Sequence, residues 1–330
     1  MELRTTFKIE PSPYKITYDD RVMFIGSCFA SSMGFQMDLG KIPVMINPAG
    51  AVFNPVSVCN TLDTITAGKE FIQDDLYFYD GNWLSFYHYT DFSSDDPVKV
   101  LEKINNKSKE AHNFLKKSKF LFITFGTARI YRWGKTGLIV SNCHKIPSAR
   151  FSSELLSVNE IVILWTKQLD RLSTLFPQLN VVFTISPVSH WKDGAHGNQV
   201  SKSVLFLAVE ELLNHPSHPQ YFPAYELVMD DLRDYRFYND DMLHPSSAAI
   251  NYIWEAFSGS YFDNKTMNIW NEVVKITKAC SHRFNTESGS KKKSFAGQML
   301  KQISEIEIKI PSVNLSFERS YFLKLLKEQV

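Results

Sequence analysis

An excess of charge of either sign is absent from this chain: 36 Lys and Arg stand against 35 Asp and Glu, a formal net charge of +1. Nucleic-acid and anionic-membrane partners select for a basic stripe. The densest basic run here is Lys291-Lys292-Lys293, inside a Ser/Lys/Gly-rich stretch that reads as a solvated linker. No apolar run approaches the ~20 residues that span a bilayer, and Met1-Glu2-Leu3-Arg4-Thr5-Thr6 lacks the charged-then-apolar profile of a signal peptide. Cysteine is sparse. Cys28, Cys59, Cys143 and Cys280 are scattered with no Cys-x-x-Cys pair, which excludes a disulfide framework or zinc ribbon and points to a reducing compartment. Neither Gly-x-Gly-x-x-Gly nor a P-loop occurs, removing nucleotide cofactors of those types. His88, His112, His144, His196, His215, His218 and His282 show no ligand spacing. The expectation is a cytoplasmic protein with no cofactor, no metal, and no nucleic-acid or membrane partner.

What is present can build a sizeable core. A hydrophobic fraction of 44% with 14% aromatics is well above the range of disordered chains. Three apolar runs, Arg21–Ile25, Lys119–Phe125 and Asn180–Ile185, end abruptly at small or turn residues. Runs this continuous suit strands buried on both faces, as in a parallel sheet. Helical patterns separate them: Phe29–Leu39, Pro97–Lys117 behind a capping Asp95 or Asp96, a capping box at Ser157-Val158-Asn159-Glu160 opening a helix to Phe176, Gln199–Asn214, and Ser246–Phe257. Hairpins are predicted around Asp80-Gly81 and around Gly134–Gly137. The fold class is therefore α/β with a mostly parallel sheet. A change of character near residue 264 divides the chain into a 1–264 domain and a 265–330 helical C-terminal extension. Met267–Ala279, Ala296–Ile308 and Phe317–Glu328 read as its helices, and Asn285–Ser294 as a linker. Such a tail is a helical cap or a means of homo-oligomerisation.

Sites in open α/β sheets form outside the carboxyl ends of the strands. Gly26-Ser27-Cys28, Phe125-Gly126-Thr127 and Ser186-Pro187-Val188-Ser189-His190 all fall at such ends. Asp241-Met242-Leu243-His244-Pro245 immediately precedes the last core helix. Spaced three apart, Asp241 can fix the tautomer of His244 through Nδ1, leaving Nε2 to activate a nucleophile. His190 is a candidate substrate contact or second acid/base. Asn198 and Lys202, four apart, would share a helix face and bind an anionic or sugar group.

Phe24-Ile25-Gly26-Ser27-Cys28-Phe29-Ala30, Thr184–His190 with Asp193-Gly194, Asn198 and Ser201-Lys202, and Tyr221–Glu226 with Asp234–Pro245 resemble the motifs of the GSCFA domain family, over roughly residues 20 to 260. That family is similar to the SGNH (GDSL-like) hydrolases. The resemblance implies a three-layer α/β/α sandwich acting as an acyl-transfer enzyme, esterase, deacylase or acetyltransferase. Its substrate would be a small-molecule or glycan ester, with acyl-CoA a candidate donor. Laid on the Gly-Asp-Ser turn of those hydrolases, Cys28 takes the nucleophile position, with Ser27 the alternative. Gly50 would supply an oxyanion donor. The second glycine turn departs from the pattern, since Gly126-Thr127-Ala128 carries no Asn, and Thr127 would have to substitute. A non-catalytic binding module on the same scaffold is the competing reading.

Overall fold

In the computed structural model, residues 5–281 and 289–327 are described. The chain runs β1 (Arg21–Gly26), α1 (Cys28–Leu39), β2 (Val44–Ile46), α2 (Pro55–Ala67), β3 (Tyr77–Tyr79), β4 (Asn82–Leu84), α3 (Pro97–Leu115), β5 (Ser118–Phe125), β6 (Arg129–Trp133), β7 (Ile139–Val140), β8 (Phe151–Leu155), α4 (Val158–Leu175) and β9 (Asn180–Ile185). It continues through α5 (Gly194–Leu212), β10 (Gln220–Tyr221), α6 (Ala224–Glu226), α7 (Ser247–Tyr261), α8 (Asn264–Ala279), α9 (Gly289–Lys309) and α10 (Ser316–Lys327).

Five strands pair in the order β10-β9-β5-β1-β2, every pairing parallel. Side chains alternate across a strand, and the three central runs divide accordingly. Val22, Phe24, Phe120, Phe122 and Val182 pack with α1 and α7 on one face. Met23, Ile25, Leu121, Ile123, Phe125 and Phe183 pack with α2, α4 and α5 on the other. Both faces are covered, and the result is the three-layer α/β/α arrangement. The Ser157 capping box forms as predicted, with the Ser157 amide and Glu160 carboxylate 2.8 Å apart. No helix is long and apolar enough to cross a membrane, among the described residues.

The structure differs from the sequence reading in several places. The hairpin at Gly134–Gly137 gains a third strand, β8, antiparallel to β6. Helix α5 begins at Gly194, a full turn before Gln199. Of the predicted linker, residues 285–288 lie outside the described residues, whereas residues 289–294 belong to α9, so the lysine triplet is helical. Lysine is a fair helix former, and the apolar positions Ala296, Ile303 and Ile306 anchor the helix downstream of it. The C-terminal helices share a core with the sheet: Trp270, Ile303, Ile306, Phe322 and Leu325 join the cluster that contains Phe24 and Phe257.

Candidate active site

The site begins where β1 stops. Gly26 has φ 142°, and a Cβ there would sit 2.1 Å from the Thr124 carbonyl oxygen on the neighbouring strand. Only glycine fits both the backbone angle and the space. Gly26→Ala is expected to destabilise the fold by about 3 kcal/mol or more, summing backbone strain and a backbone clash. Equilibrium urea unfolding measures this directly, and a shift of only a few tenths would refute the packing argument.

Ser27 follows as the N-cap of α1. Its hydroxyl is buried and accepts the Phe29 amide at 3.3 Å. Cys28 is the first helical residue and is only partly buried. Burial raises its thiol above the ordinary value; the amides of Phe29 and Cys28 and the Lys202 ammonium pull it down, and Asp241 pushes it up. The turn is clamped by Asn47, whose Oδ1 accepts the Gly26 amide at 2.8 Å and whose Nδ2 donates to the Ser27 carbonyl and, at 2.8 Å, to the Ser31 hydroxyl. Sequence reasoning assigned Asn47 no part. Its signal was the Asn47-Pro48-Ala49-Gly50 turn directly after a short strand.

Asp241 and His244 meet in a tight loop before α7. Asn239 donates its amide to the His244 carbonyl (2.8 Å) and Ser246 donates to the Phe237 carbonyl (2.8 Å), closing the loop at both ends. Asp241 Oδ1 accepts the amides of Leu243 and His244, each at 2.9 Å, and Oδ2 lies 2.6 Å from His244 Nδ1. The two amides, then the imidazole, hold the Asp241 carboxyl down at about 2. In a neutral imidazole, an ionised acceptor on Nδ1 favours the tautomer that carries its proton there.

His190 lies over Gly126: its Nε2 would be 2.9 Å from a Cβ on that glycine, and its ring stands edge-on to Phe53 at 5.4 Å. Asn198 accepts the His190 amide at 2.9 Å from a buried position. Burial first, then Lys202 and His244, lower His190 to about 4. With the folded value below the ordinary 6.5, the native state holds fewer protons between those two pH values. The stability this group contributes is complete above about 6.5 and is lost as pH falls through about 4. An NMR titration should find the His190 ring signals constant from neutrality down to about pH 5; a midpoint near 6.5 would refute the burial argument.

Lys202, on α5, is 2% exposed, and its Nζ donates to the carbonyls of Gly126 (2.7 Å) and Ser186 (2.6 Å). It caps the carboxyl ends of the neighbouring strands β5 and β9, so two of its donors are taken up inside the fold. The expected oxyanion donors are likewise committed within the fold. The Gly50 amide donates to the Asn47 carbonyl (2.7 Å), and the amides of Gly126 and Thr127 both donate to Phe53 O, at 2.7 and 3.1 Å. Thr127 Oγ1 lies 2.9 Å from Ser201 Oγ. Buried strand ends must satisfy their polar groups, and the loop leading to Phe53 does so here. Ser27 takes the Phe29 amide on its hydroxyl and the Ala30 amide on its carbonyl, which leaves the Cys28 amide at the mouth of the turn.

Cys28 is thus within electrostatic reach of both Lys202 and Asp241, and His190 of both Lys202 and His244. Beside Asp241 opens a cleft of about 560 Å³ walled by Trp191, Gln199, Asp234, Tyr235 and Tyr238. A second of about 310 Å³ is lined by His190, with Asn54, Arg129 and Lys192 in its wall. Among the described residues, no group of three or more His, Cys, Asp or Glu side chains is placed to hold a metal ion.

No curated protein matches this chain. The model of the GSCFA family, however, matches residues 21–257, from the first residue of β1 into α7 and so across every element that builds the cluster around Cys28. The chain belongs to the GSCFA family.

Proposed function

We propose that this protein is a cysteine-dependent acyl-transfer enzyme acting on a small-molecule or glycan ester or a thioester. The observation that carries the reading is the Asp241–His244 contact at 2.6 Å, which occupies Nδ1 and turns Nε2 away from Asp241, together with a partly exposed cysteine at a helix N-terminus that Asp241 faces. In the first step His244 Nε2 takes the Cys28 proton and Sγ bonds to the acyl carbonyl carbon. The oxyanion that develops is met by the amide of Cys28, aided by the positive end of α1. Collapse breaks the bond to the leaving oxygen or sulfur, which receives the proton from His244, and leaves the acyl group on Sγ. Water or an acceptor hydroxyl then gives its proton to His244, attacks the thioester and frees Cys28 as thiol.

Ser27 is assigned the N-cap and not the nucleophile, since its hydroxyl is buried and committed to Phe29. The cleft beside Asp241 offers the exposed faces of Trp191 and Tyr235, with Gln199 and Asp234 for hydroxyl groups, an arrangement suited to a sugar ring. Incubation with short-chain p-nitrophenyl and CoA esters, read by product release and by intact mass, tests the reading. An acyl adduct on Cys28 is the expected result, and no adduct with no turnover would refute it. The commitment of Gly50, Gly126 and Thr127 to internal hydrogen bonds favours a second reading, a non-catalytic binding module. Saturable ester binding without adduct formation would establish that one.

A further inference from the structure

The cleft of about 310 Å³ lined by His190 takes no part in the acyl-transfer steps, and its wall is rich in hydrogen-bond donors. Arg129, at the start of β6, and Lys192 bring two positive charges to it, against the one carboxylate of Asp193. Asp193 Oδ1 lies 3.3 Å from Arg129 Nε, close enough for charge attraction, yet Nε is buried and makes no hydrogen bond among the described residues. A buried guanidinium donor without an acceptor is costly, so its position calls for a partner from outside the chain. Lys192 Nζ stands 5.3 Å from the centre of the Tyr131 ring in the same wall. Two asparagines add neutral donors. Asn54 is 5% exposed, and as the N-cap of α2 its Oδ1 accepts the Ser57 amide at 2.8 Å. Asn142 Oδ1 accepts the His144 amide at 2.7 Å. A backbone N–H only donates, so each of these bonds fixes which end of the amide is oxygen and sets Nδ2 at the other end. Neither Nδ2 donates to an acceptor among the described residues.

We propose that this cleft binds the phosphate group of a small molecule, held by Arg129, Lys192 and the side-chain amides of Asn54 and Asn142. All four groups donate and two of them are cationic, so the complementary ligand is an anion with several acceptor oxygens. A phosphate monoester presents three terminal oxygens, one more than a carboxylate, and suits a guanidinium fork beside an ammonium point charge. Asp193 attracts the guanidinium without taking up its Nε hydrogen, which stays available to the ligand. The cleft is at the lower end of the size range of small-molecule sites, so it holds the phosphate and part of the molecule that carries it. Ser189 and Trp191 line the cleft beside Asp241, whereas His190 and Lys192 line this one, so a single loop walls both. Two sources present the group: the nucleotide end of an acyl donor such as coenzyme A, and a phosphorylated sugar. The assignment does not depend on the acyl-transfer reading, since Cys28, Asp241 and His244 are not in this wall.

Isothermal titration calorimetry of the full-length chain with inorganic phosphate, coenzyme A and glucose 6-phosphate tests the assignment, with glucose and acetate as controls. At least one of the two phosphorylated molecules should bind saturably with a Kd of about 1 mM or tighter, and glucose should not bind. Tighter binding of coenzyme A identifies the nucleotide end as the source, and tighter binding of glucose 6-phosphate the sugar. Lys192→Gln, a substitution at an exposed position, should weaken binding roughly tenfold, and Arg129→Gln at least about as much. In wild-type protein the side-chain amide signals of Asn54 and Asn142, assigned with Asn54→Ser and Asn142→Ala, should shift along the same titration. No saturable binding of any phosphorylated probe overturns the proposal, as does acetate binding as tightly as inorganic phosphate. Affinity left unchanged by both charge variants places the ligand elsewhere and overturns it too. Should Arg129→Gln fail to fold, Lys192→Gln and the asparagine signals decide. Phosphate binding by a protein that turns over no ester would leave this site standing and sink the acyl-transfer reading; turnover without phosphate binding would do the opposite.

Discussion

Cys28→Ala is expected to reduce ester or thioester turnover by at least about 10³-fold and to leave the fold intact, whereas Ser27→Ala should do the reverse. Cys28 is partly exposed at the first position of α1, where alanine is well tolerated, so the substitution removes one sulfur and little packing. Ser27 is buried, and its hydroxyl accepts the Phe29 amide. Losing an N-cap of this kind costs about 1 kcal/mol, more where the amide is left unpaired and dry. Turnover of the Ser27→Ala protein should stay within about tenfold of wild type, because a cap positions the helix without touching the reacting atoms. Paired measurements of kcat and of the urea midpoint on both variants separate the roles. A Cys28→Ala protein with wild-type rates would end the case for Cys28, and an inactive but stable Ser27→Ala protein would transfer it to Ser27.

How far the sequence exposed this site depends on whether its physics is local. The strands β1, β5 and β9 were legible because burial on both faces writes an unbroken apolar run, and the α4 capping box because Ser157 and Glu160 are three residues apart. The edge strands β2 and β10, three and two residues long, carry no pattern of their own; their neighbours supply the pairing. Asp241 and His244 were legible from spacing, since the loop that joins them is itself short. Lys202 was not. A lysine on a helix reads as a solvent-facing residue, and only the tertiary approach of Gly126 and Ser186 makes it a buried one. The hydrogen bonds of the candidate oxyanion donors were hidden for a related reason. Gly50 has the positive φ of a turn glycine, but the same turn spends its amide on Asn47. The change of composition near residue 264 is written in the sequence, whereas the core that Phe322 and Phe257 share across it is tertiary and is not.

His244→Ala and Asp241→Asn are expected to lower kcat/KM by about 10²- to 10⁴-fold each, and the double variant to be no worse than His244→Ala alone. The expectation of non-additivity follows from the geometry. Asp241 touches the chemistry only through His244 Nδ1, so once the imidazole is gone its carboxylate has nothing to orient. Asparagine keeps the size of Asp241 and an oxygen for the Leu243 and His244 amides, so the loop should hold its shape. What it removes is the charge that selects the tautomer and stabilises the imidazolium formed during thiol deprotonation. The Asp241 carboxyl is held at about 2, so its protonation does not enter a rate profile measured above about pH 4. Any loss on Asp241→Asn in that range therefore reports the missing charge and not a change in its titration. Rates for the two single variants and the double, measured on one ester at saturating and subsaturating concentrations, complete the cycle. Multiplicative losses would show Asp241 acting independently of His244, through the cleft it borders, and the base would then have to be sought elsewhere in the cluster.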